Sequence, residues 1–203
     1  MYIIGITGGT GAGKTTALRA LRAPGVLILD CDAIYHELLS RDAELNSELA
    51  ARFPGAVSGG SIDRKKLGDI VFHDQNALSD LNAITHKYVD KEAGRRIADW
   101  GVAGGTVAVL DAVALIESGM GGNCDIVIGV AAPAEMRISR VMERDGISRE
   151  KAEERINAQK PASYYSENCD ILLEGIYDTP EEFEEKCRAV ISGALLERGV
   201  RIY

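Results

Sequence analysis

Positive charge is the first scarcity in this chain. Lys and Arg number 23 against 31 Asp and Glu, a formal net charge of −8. A broad nucleic-acid footprint needs a basic face over much of the surface, so no nucleic-acid partner is expected. An anionic ligand must be drawn by local basic clusters working against the field of the whole chain. Cysteine is scarce too. Its four copies, at 31, 124, 169 and 187, are widely spaced with no C-x-x-C. That pattern indicates neither a zinc site nor a disulfide framework, and it fits idle thiols in a reducing compartment. The three histidines, at 36, 73 and 86, include no pair at metal-ligand spacing on one helix. No segment approaches the roughly 18–20 apolar residues of a membrane span. The N-terminus runs into a strand pattern without a basic leader, so a cytoplasmic protein with no membrane partner is expected.

Glycine, by contrast, is concentrated. Residues 5–16 read GITGGTGAGKTT, and Gly8 to Thr15 fit G-x-x-x-x-G-K-[ST] with nothing missing. A loop of this kind wraps an anion with its backbone N–H groups, and side chains on its inner surface would block the approach. Gly9, Thr10, Gly11, Ala12 and Gly13 are the expected cradle, with Thr16 opening the helix that follows. Lys14 is placed as a point charge for β- and γ-phosphates, and Thr15 offers a hydroxyl to Mg²⁺. Context supports this over a plain glycine turn: an apolar strand pattern precedes the loop at 2–7, and Ala17, Leu18 and Leu21 follow at helical spacing.

Five apolar runs read as strands, at 2–7, 26–30, 106–111, 125–131 and 170–173. They are near-continuous rather than alternating, as strands buried on both faces of a parallel sheet must be. Helical patterns separate them, the signature of βαβ units. The clearest helix starts at the capping box Thr179-Pro180-Glu181-Glu182, and Phe183, Cys187, Val190, Ile191, Ala194 and Leu195 form its expected apolar stripe. The stretch 33–100 has no strong strand; it reads as several helices broken at Phe53-Pro54-Gly55 and by a Ser58–Ser61 linker. A second helical pair at about 134–160 turns at Asp145-Gly146. The expectation is an α/β, three-layer P-loop NTPase fold in one domain over 1–203: a five-stranded parallel sheet flanked by helices, with a helical acceptor-binding insertion at about 33–100 and a helical lid at about 134–160.

Ligands of open parallel sheets bind outside the carboxyl ends of the strands, which gives polar residues there extra weight. Asp30-Cys31-Asp32 closes the second strand. Asp32 has two readings: the N-cap of the following helix, or the carboxylate that accepts the proton of an attacking hydroxyl or helps to hold Mg²⁺. Asp111, closing the third strand after an apolar run, has the form of a Mg²⁺ carboxylate. Glu117 lies six residues on, a candidate for the acceptor side. At about 100° per residue, Arg137, Arg140 and Arg144 share one helical stripe. They are either a lid closing over phosphates or a solvated face paired with Glu143 and Asp145. Asn82 and His86, four apart, share a face of a helix whose core side is expected to be Leu78, Leu81, Ile84, Tyr88 and Val89. That geometry permits a polar substrate contact or a structural histidine.

Taken together, these residues resemble the dephospho-CoA kinase family over nearly the whole chain. The family's T-G-G-x-G-x-G-K-[ST] stands here at Thr7 to Thr15, its D-x-D at Asp30 to Asp32, and its L-N-x-[IL]-x-H at Leu81 to His86. The lid pattern R-x-x-x-R-D is present at Arg140 to Asp145, followed by Arg155-Ile156 and Gln159. Departures are Lys87 where the family has proline, Val113 and Ala114 in the segment after Asp111, and Gly175 where an asparagine is common. The resemblance implies an enzyme using ATP and Mg²⁺ to phosphorylate dephospho-CoA, as a monomer or small homo-oligomer. Asp32 would act as base, Lys14 and Arg140 in catalysis, Arg137 and Arg144 on the nucleotide, Asn82, His86 and Glu117 on the acceptor, and Thr15 and Asp111 on the metal. A kinase for another small acceptor shares the loop and lid. A GTP-dependent switch would carry D-x-x-G and N-K-x-D, and the sequence has neither.

Overall fold

A computed structural model describes residues 1–202. The chain divides into two compact units, one formed by Met1–Leu29 with Trp100 onward, the other by Asp30–Asp99.

In the first unit, strand β1 (Tyr2–Gly8) leads through the glycine loop into helix α1 (Lys14–Arg19). Strand β2 (Val26–Asp30) then runs to the boundary between the units. The second unit holds α2 (Cys31–Arg41), α3 (Ala43–Arg52), the short strands β3 (Val57–Ser58) and β4 (Ser61–Ile62), α4 (Arg64–Phe72) and most of α5 (Gln75–Val102). The chain returns to the first unit with β5 (Val107–Asp111), β6 (Ile126–Ala131), α6 (Ala134–Asp145), α7 (Arg149–Asn157), α8 (Ala162–Asn168), β7 (Ile171–Glu174) and α9 (Pro180–Glu197). The sheet order is β2-β5-β1-β6-β7, so β1 lies at the centre. It pairs in parallel with β5 (Ile4 opposite Val109) and with β6 (Ile6 opposite Ile128). All five strands lie within a residue or two of their expected places.

Strand residues of one parity, Ile4, Ile6, Val109, Ile128 and Leu173, pack into one core with Leu18, Leu21, Phe183 and Ile191 of the α1–α9 face. The opposite parity meets α8 across the sheet, where Gly129 abuts Cys169 and Tyr165. Helix α8 was not anticipated from the sequence. Helix α9 carries the expected capping box, with the Thr179 hydroxyl accepting from Glu182 N at 3.3 Å. Its buried stripe is narrower than expected: Phe183, Cys187, Ile191 and Leu195 are buried, whereas Val190 is 41% exposed.

Within the second unit, four helices begin with an aspartate cap. Asp30, Asp42 and Asp63 accept from the first-turn amides of α2, α3 and α4, and Asp74 accepts from Asn76 N and Ala77 N at the start of α5. The Ser58–Ser61 stretch is not a linker but a tight hairpin. Gly59 (φ 60°) and Gly60 (φ 84°) supply the two positive φ values that a two-residue turn demands, and β3 pairs antiparallel with β4. On α5, Tyr88 and Val89 are buried as expected and Leu81 and Ile84 half-buried, but Leu78 is 42% exposed, and Ala77, Thr85 and Ala93 are buried as well. Thr85 is tolerated there because its hydroxyl donates to Leu81 O at 2.8 Å. Helices α2 and α5 are joined by ion pairs from Arg41 to Glu92 and from Arg96 to Glu37, and Arg96 also pairs with Glu92 within α5. Among the described residues, no helix is long and apolar enough to cross a membrane.

Candidate active site

The glycine loop closes the carboxyl end of the central strand. Gly11 (φ 77°) and Gly13 (φ 103°) hold left-handed backbone that side chains disfavour, and Gly13 is the N-cap of α1. A Cβ on Gly9 would approach Arg137 Nη2 to 2.6 Å, and one on Gly11 would approach the Arg137 carbonyl to 2.7 Å. The glycines therefore answer two demands at once: backbone conformation inside the loop and close packing of α6 outside it. Thr16 N already donates to Gly13 O at 3.0 Å, whereas the Lys14 and Thr15 amides at the start of α1 have no intrahelical acceptor, as at any helix start, and so are available to an anion.

Lys14 and Asp111, 97 residues apart in sequence, form a hydrogen-bonded ion pair whose side chains are 18% and 12% exposed. Thr15 is exposed at the first turn of α1, and Thr16 is buried one residue on. Thr7 at the end of β1 donates its hydroxyl to Val113 O at 2.8 Å, which anchors the segment after Asp111 to the central strand. Among the described residues, no three His, Cys, Asp or Glu side chains form a metal cage. A hydroxyl and one carboxylate beside a phosphate loop are instead a donor set that suits Mg²⁺, which takes its remaining oxygens from phosphates and water.

The arginine stripe separates into two parts. Arg137 is buried, with Nε donating to Thr10 O at 2.9 Å and Nη2 bonded to Gln159 Oε1. Burial pushes its guanidinium below the ordinary value. Arg140 donates to Gly11 O at 3.1 Å and lies over the Tyr177 ring at 4.0 Å; Tyr177 in turn stacks on Phe183 with centroids 4.7 Å apart. Arg144 does not join them. It chelates Asp145, as a solvated face would.

The loop residues, Lys14, Thr15, Asp111, Arg137 and Arg140 are thus brought together in the first unit. Glu117 is exposed, and its charge reaches the Tyr164 and Tyr165 phenols, which burial first and Glu117 second push upward. Asp32, Asn82 and His86 belong to the second unit. Asp32 is exposed in the first turn of α2 and is not the cap; Asp30 is, accepting from Ala33 N at 2.9 Å. Asn82 is exposed and His86 half-buried on α5. Two residues at the loop were not among the expected site residues. Gln159 appeared in the sequence only as the end of a lid pattern, and Tyr177 carried no periodic signal at all.

The sequence profile of the dephospho-CoA kinase family matches residues 2–178. A dephospho-CoA kinase of Geobacter sulfurreducens is 36% identical over 192 residues, covering 94% of this chain and 97% of that protein. The crystal structure of a Thermus thermophilus protein superposes with a TM-score of 0.74 at 34% identity, covering 95% of this chain and 97% of the other. A dephospho-CoA kinase from Campylobacter jejuni, 24% identical, shares the fold with a TM-score of 0.65 over 95% of this chain and 96% of its own. With the phosphate loop, the five-stranded sheet and these matches in agreement, the chain belongs to the dephospho-CoA kinase family.

Proposed function

We propose that this protein transfers the γ-phosphoryl group of ATP to the ribose 3′-hydroxyl of dephospho-CoA, giving coenzyme A and ADP. The observation that carries the reading is the phosphate loop itself. Its conformation is set by glycines, its lysine pairs with the Asp111 carboxylate, and two arginines of α6 brace its carbonyls. Its amides cradle the β-phosphate, and Lys14 moves from Asp111 to the β- and γ-phosphates as the nucleotide arrives. Mg²⁺, held by Thr15 and Asp111, supplies charge neutralisation on the phosphates.

Asp32 accepts the proton of the 3′-hydroxyl while the oxygen bonds to the γ-phosphorus; the bond to the β–γ bridging oxygen breaks and ADP leaves with that electron pair. Arg140 exchanges its Tyr177 stack for the transferring phosphoryl, where charge spreads over the equatorial oxygens. Arg137 holds the loop, and Arg144 reaches the nucleotide on lid closure. The Asp30–Asp99 unit is read as the acceptor lobe, with Asn82 and His86 as polar contacts for the acceptor; Glu117, after β5, is assigned to the acceptor as well. The protein works in the cytoplasm on a small molecule.

The direct test is ADP release with Mg²⁺-ATP and dephospho-CoA, against nucleoside monophosphates and simple sugars as parallel acceptors. Release that requires dephospho-CoA, with coenzyme A as product, supports the assignment; turnover of another acceptor alone removes it. Asp32→Asn is expected to lower kcat by roughly 10²–10⁴ with little change in ATP affinity. Lys14→Ala should damage nucleotide binding and turnover together. Near-wild-type turnover in either variant discards the corresponding role.

A further inference from the structure

Thr10 sits at the crown of the phosphate loop between two glycines, and each of its polar groups is claimed. Its amide donates to Gln159 Oε1 at 2.9 Å, and its hydroxyl accepts from Gln159 Nε2 at 2.8 Å. Its carbonyl accepts from Arg137 Nε at 2.9 Å, and Arg137 is itself bonded to Gln159. One side-chain amide therefore uses both its oxygen and its nitrogen on a single residue 149 positions away in sequence. Gln159 stands just beyond the C-terminal end of α7, where its own amide donates to Ile156 O at 3.1 Å.

We infer that Gln159 is a positioning residue for the phosphate loop. It locks Thr10 so that only the flanking glycines retain freedom, and so keeps the loop amides aimed at the phosphates before a nucleotide arrives. The physical need is plain. A glycine-rich loop loses more conformational entropy on ordering than any other, and that cost falls on nucleotide affinity unless the loop is already ordered. Arg137 alone cannot meet it, because it holds only the carbonyl of Thr10 and leaves the amide free to turn. Gln159 fixes amide and hydroxyl together and, with Arg137 on the carbonyl, restrains both peptide planes that flank the residue. It also bolts the base of the α6–α7 pair to the loop, so that lid motion is confined to the outer end at about 144–148.

The inference rests on the reading that residues 8–15 bind a nucleoside triphosphate, and the experiment separates the two. Gln159→Met keeps the length and volume of the side chain and removes its hydrogen bonds. Calorimetric titration with Mg²⁺-ATP and steady-state kinetics are compared for the wild-type protein and this variant, with thermal unfolding alongside. The Kd and KM for ATP are expected to rise roughly ten- to hundred-fold, the range for a buried donor left unpaired. The KM for dephospho-CoA should stay unchanged, and kcat should change by less than about threefold, since uniform binding is what is lost. Thr10→Val removes one of the same bonds from the loop side, and in the Gln159→Met background it should add little. A lowered melting temperature with unaltered ATP affinity would make Gln159 merely structural and overturn the inference. If Gln159→Met does not fold, Thr10→Val alone decides: weaker ATP binding upholds the inference and wild-type binding ends it. A wild-type protein that binds no nucleotide would instead refute the phosphate-loop reading.

Discussion

At the scale of single residues, the site is made of close approaches. Gly175 shows how tight they are. It follows β7 directly, its amide donates to Ala131 O at 2.8 Å, and a Cβ built on it falls well inside contact distance of the Ala12 carbonyl oxygen. A backbone oxygen of the phosphate loop cannot swing aside as a flexible side chain can, so Gly175→Ala must push two chain segments apart. Overpacking of this kind costs about 1–3 kcal/mol. The variant is expected to melt several degrees lower and to bind Mg²⁺-ATP more weakly, because the displaced segment is the loop. Unfolding and nucleotide titration check both halves, and wild-type values for each would mean the loop yields freely. Gly175 is a departure from the family's usual asparagine, and here it brings the strand exit against the loop. Lys14 and Thr15 were legible in the sequence because their chemistry is bound to a local spacing. Gln159 and Tyr177 were not, since neither residue type nor neighbourhood marks a side chain that braces a loop from far along the chain.

At the scale of elements, caps and ion pairs decide where helices begin and which helices hold together. The capping box at Thr179 and the run of strands were read correctly because these signals extend over only a few residues. The Ser58–Ser61 hairpin was missed because two glycines signal a flexible linker and a positive-φ turn with the same letters. Glu92, whose side chain is only 11% exposed, ties α5 to α2 by accepting from Arg41 and also accepts from Arg95 and Arg96 of its own helix. These hydrogen bonds, that from Arg95 foremost, hold its carboxyl at about 2, against an ordinary 4.5. A depressed carboxylate stabilises the fold fully above its unfolded value, and that contribution fades as the pH falls from about 5 towards 2. Glu92→Gln is therefore expected to lower the melting temperature by a few degrees at pH 7, and to flatten its decline between about pH 5 and pH 2. Thermal melts across that range measure it; parallel curves for the two proteins would show that another group governs the acid limb.

At the scale of the whole molecule, two units are built on different plans. The Met1–Leu29 and Trp100-onward unit is organised around strands buried on both faces, with Ile4, Ile6, Val109 and Ile128 essentially without exposure. The Asp30–Asp99 unit packs its helices on a smaller core of Ile34, Leu38, Leu45, Leu49, Phe53 and Leu67, adds ion pairs between helices, and has only a hairpin of two two-residue strands for a sheet. A short two-stranded ladder is protected far less than the central strands of a five-stranded sheet. Amides of β1, β5 and β6 should therefore exchange slowest with solvent, and those of β3 and β4 among the fastest. Hydrogen-exchange mass spectrometry at neutral pH reads this directly; equal protection in the two sets would show one cooperative unit instead. A net charge of −8 also sets a field that opposes an incoming anion, against which Lys14, Arg137 and Arg140 of the loop region must act. Their value lies in local geometry rather than long-range attraction.

The sequence by itself determined the phosphate loop, the five strands, the helix start at Thr179 and the family, because each rests on spacing within a few residues or on motifs in a set order. Only the tertiary structure decided which partners meet. Lys14 finds Asp111 across 97 residues, and Thr10 finds Arg137 and Gln159 across 127 and 149. It also sorted the arginine stripe, sending Arg137 and Arg140 to the loop and leaving Arg144 with Asp145. The physical reason is that a helical stripe fixes direction around an axis but not what stands opposite. That is set by the packing of α6 against a loop whose glycines leave room for it.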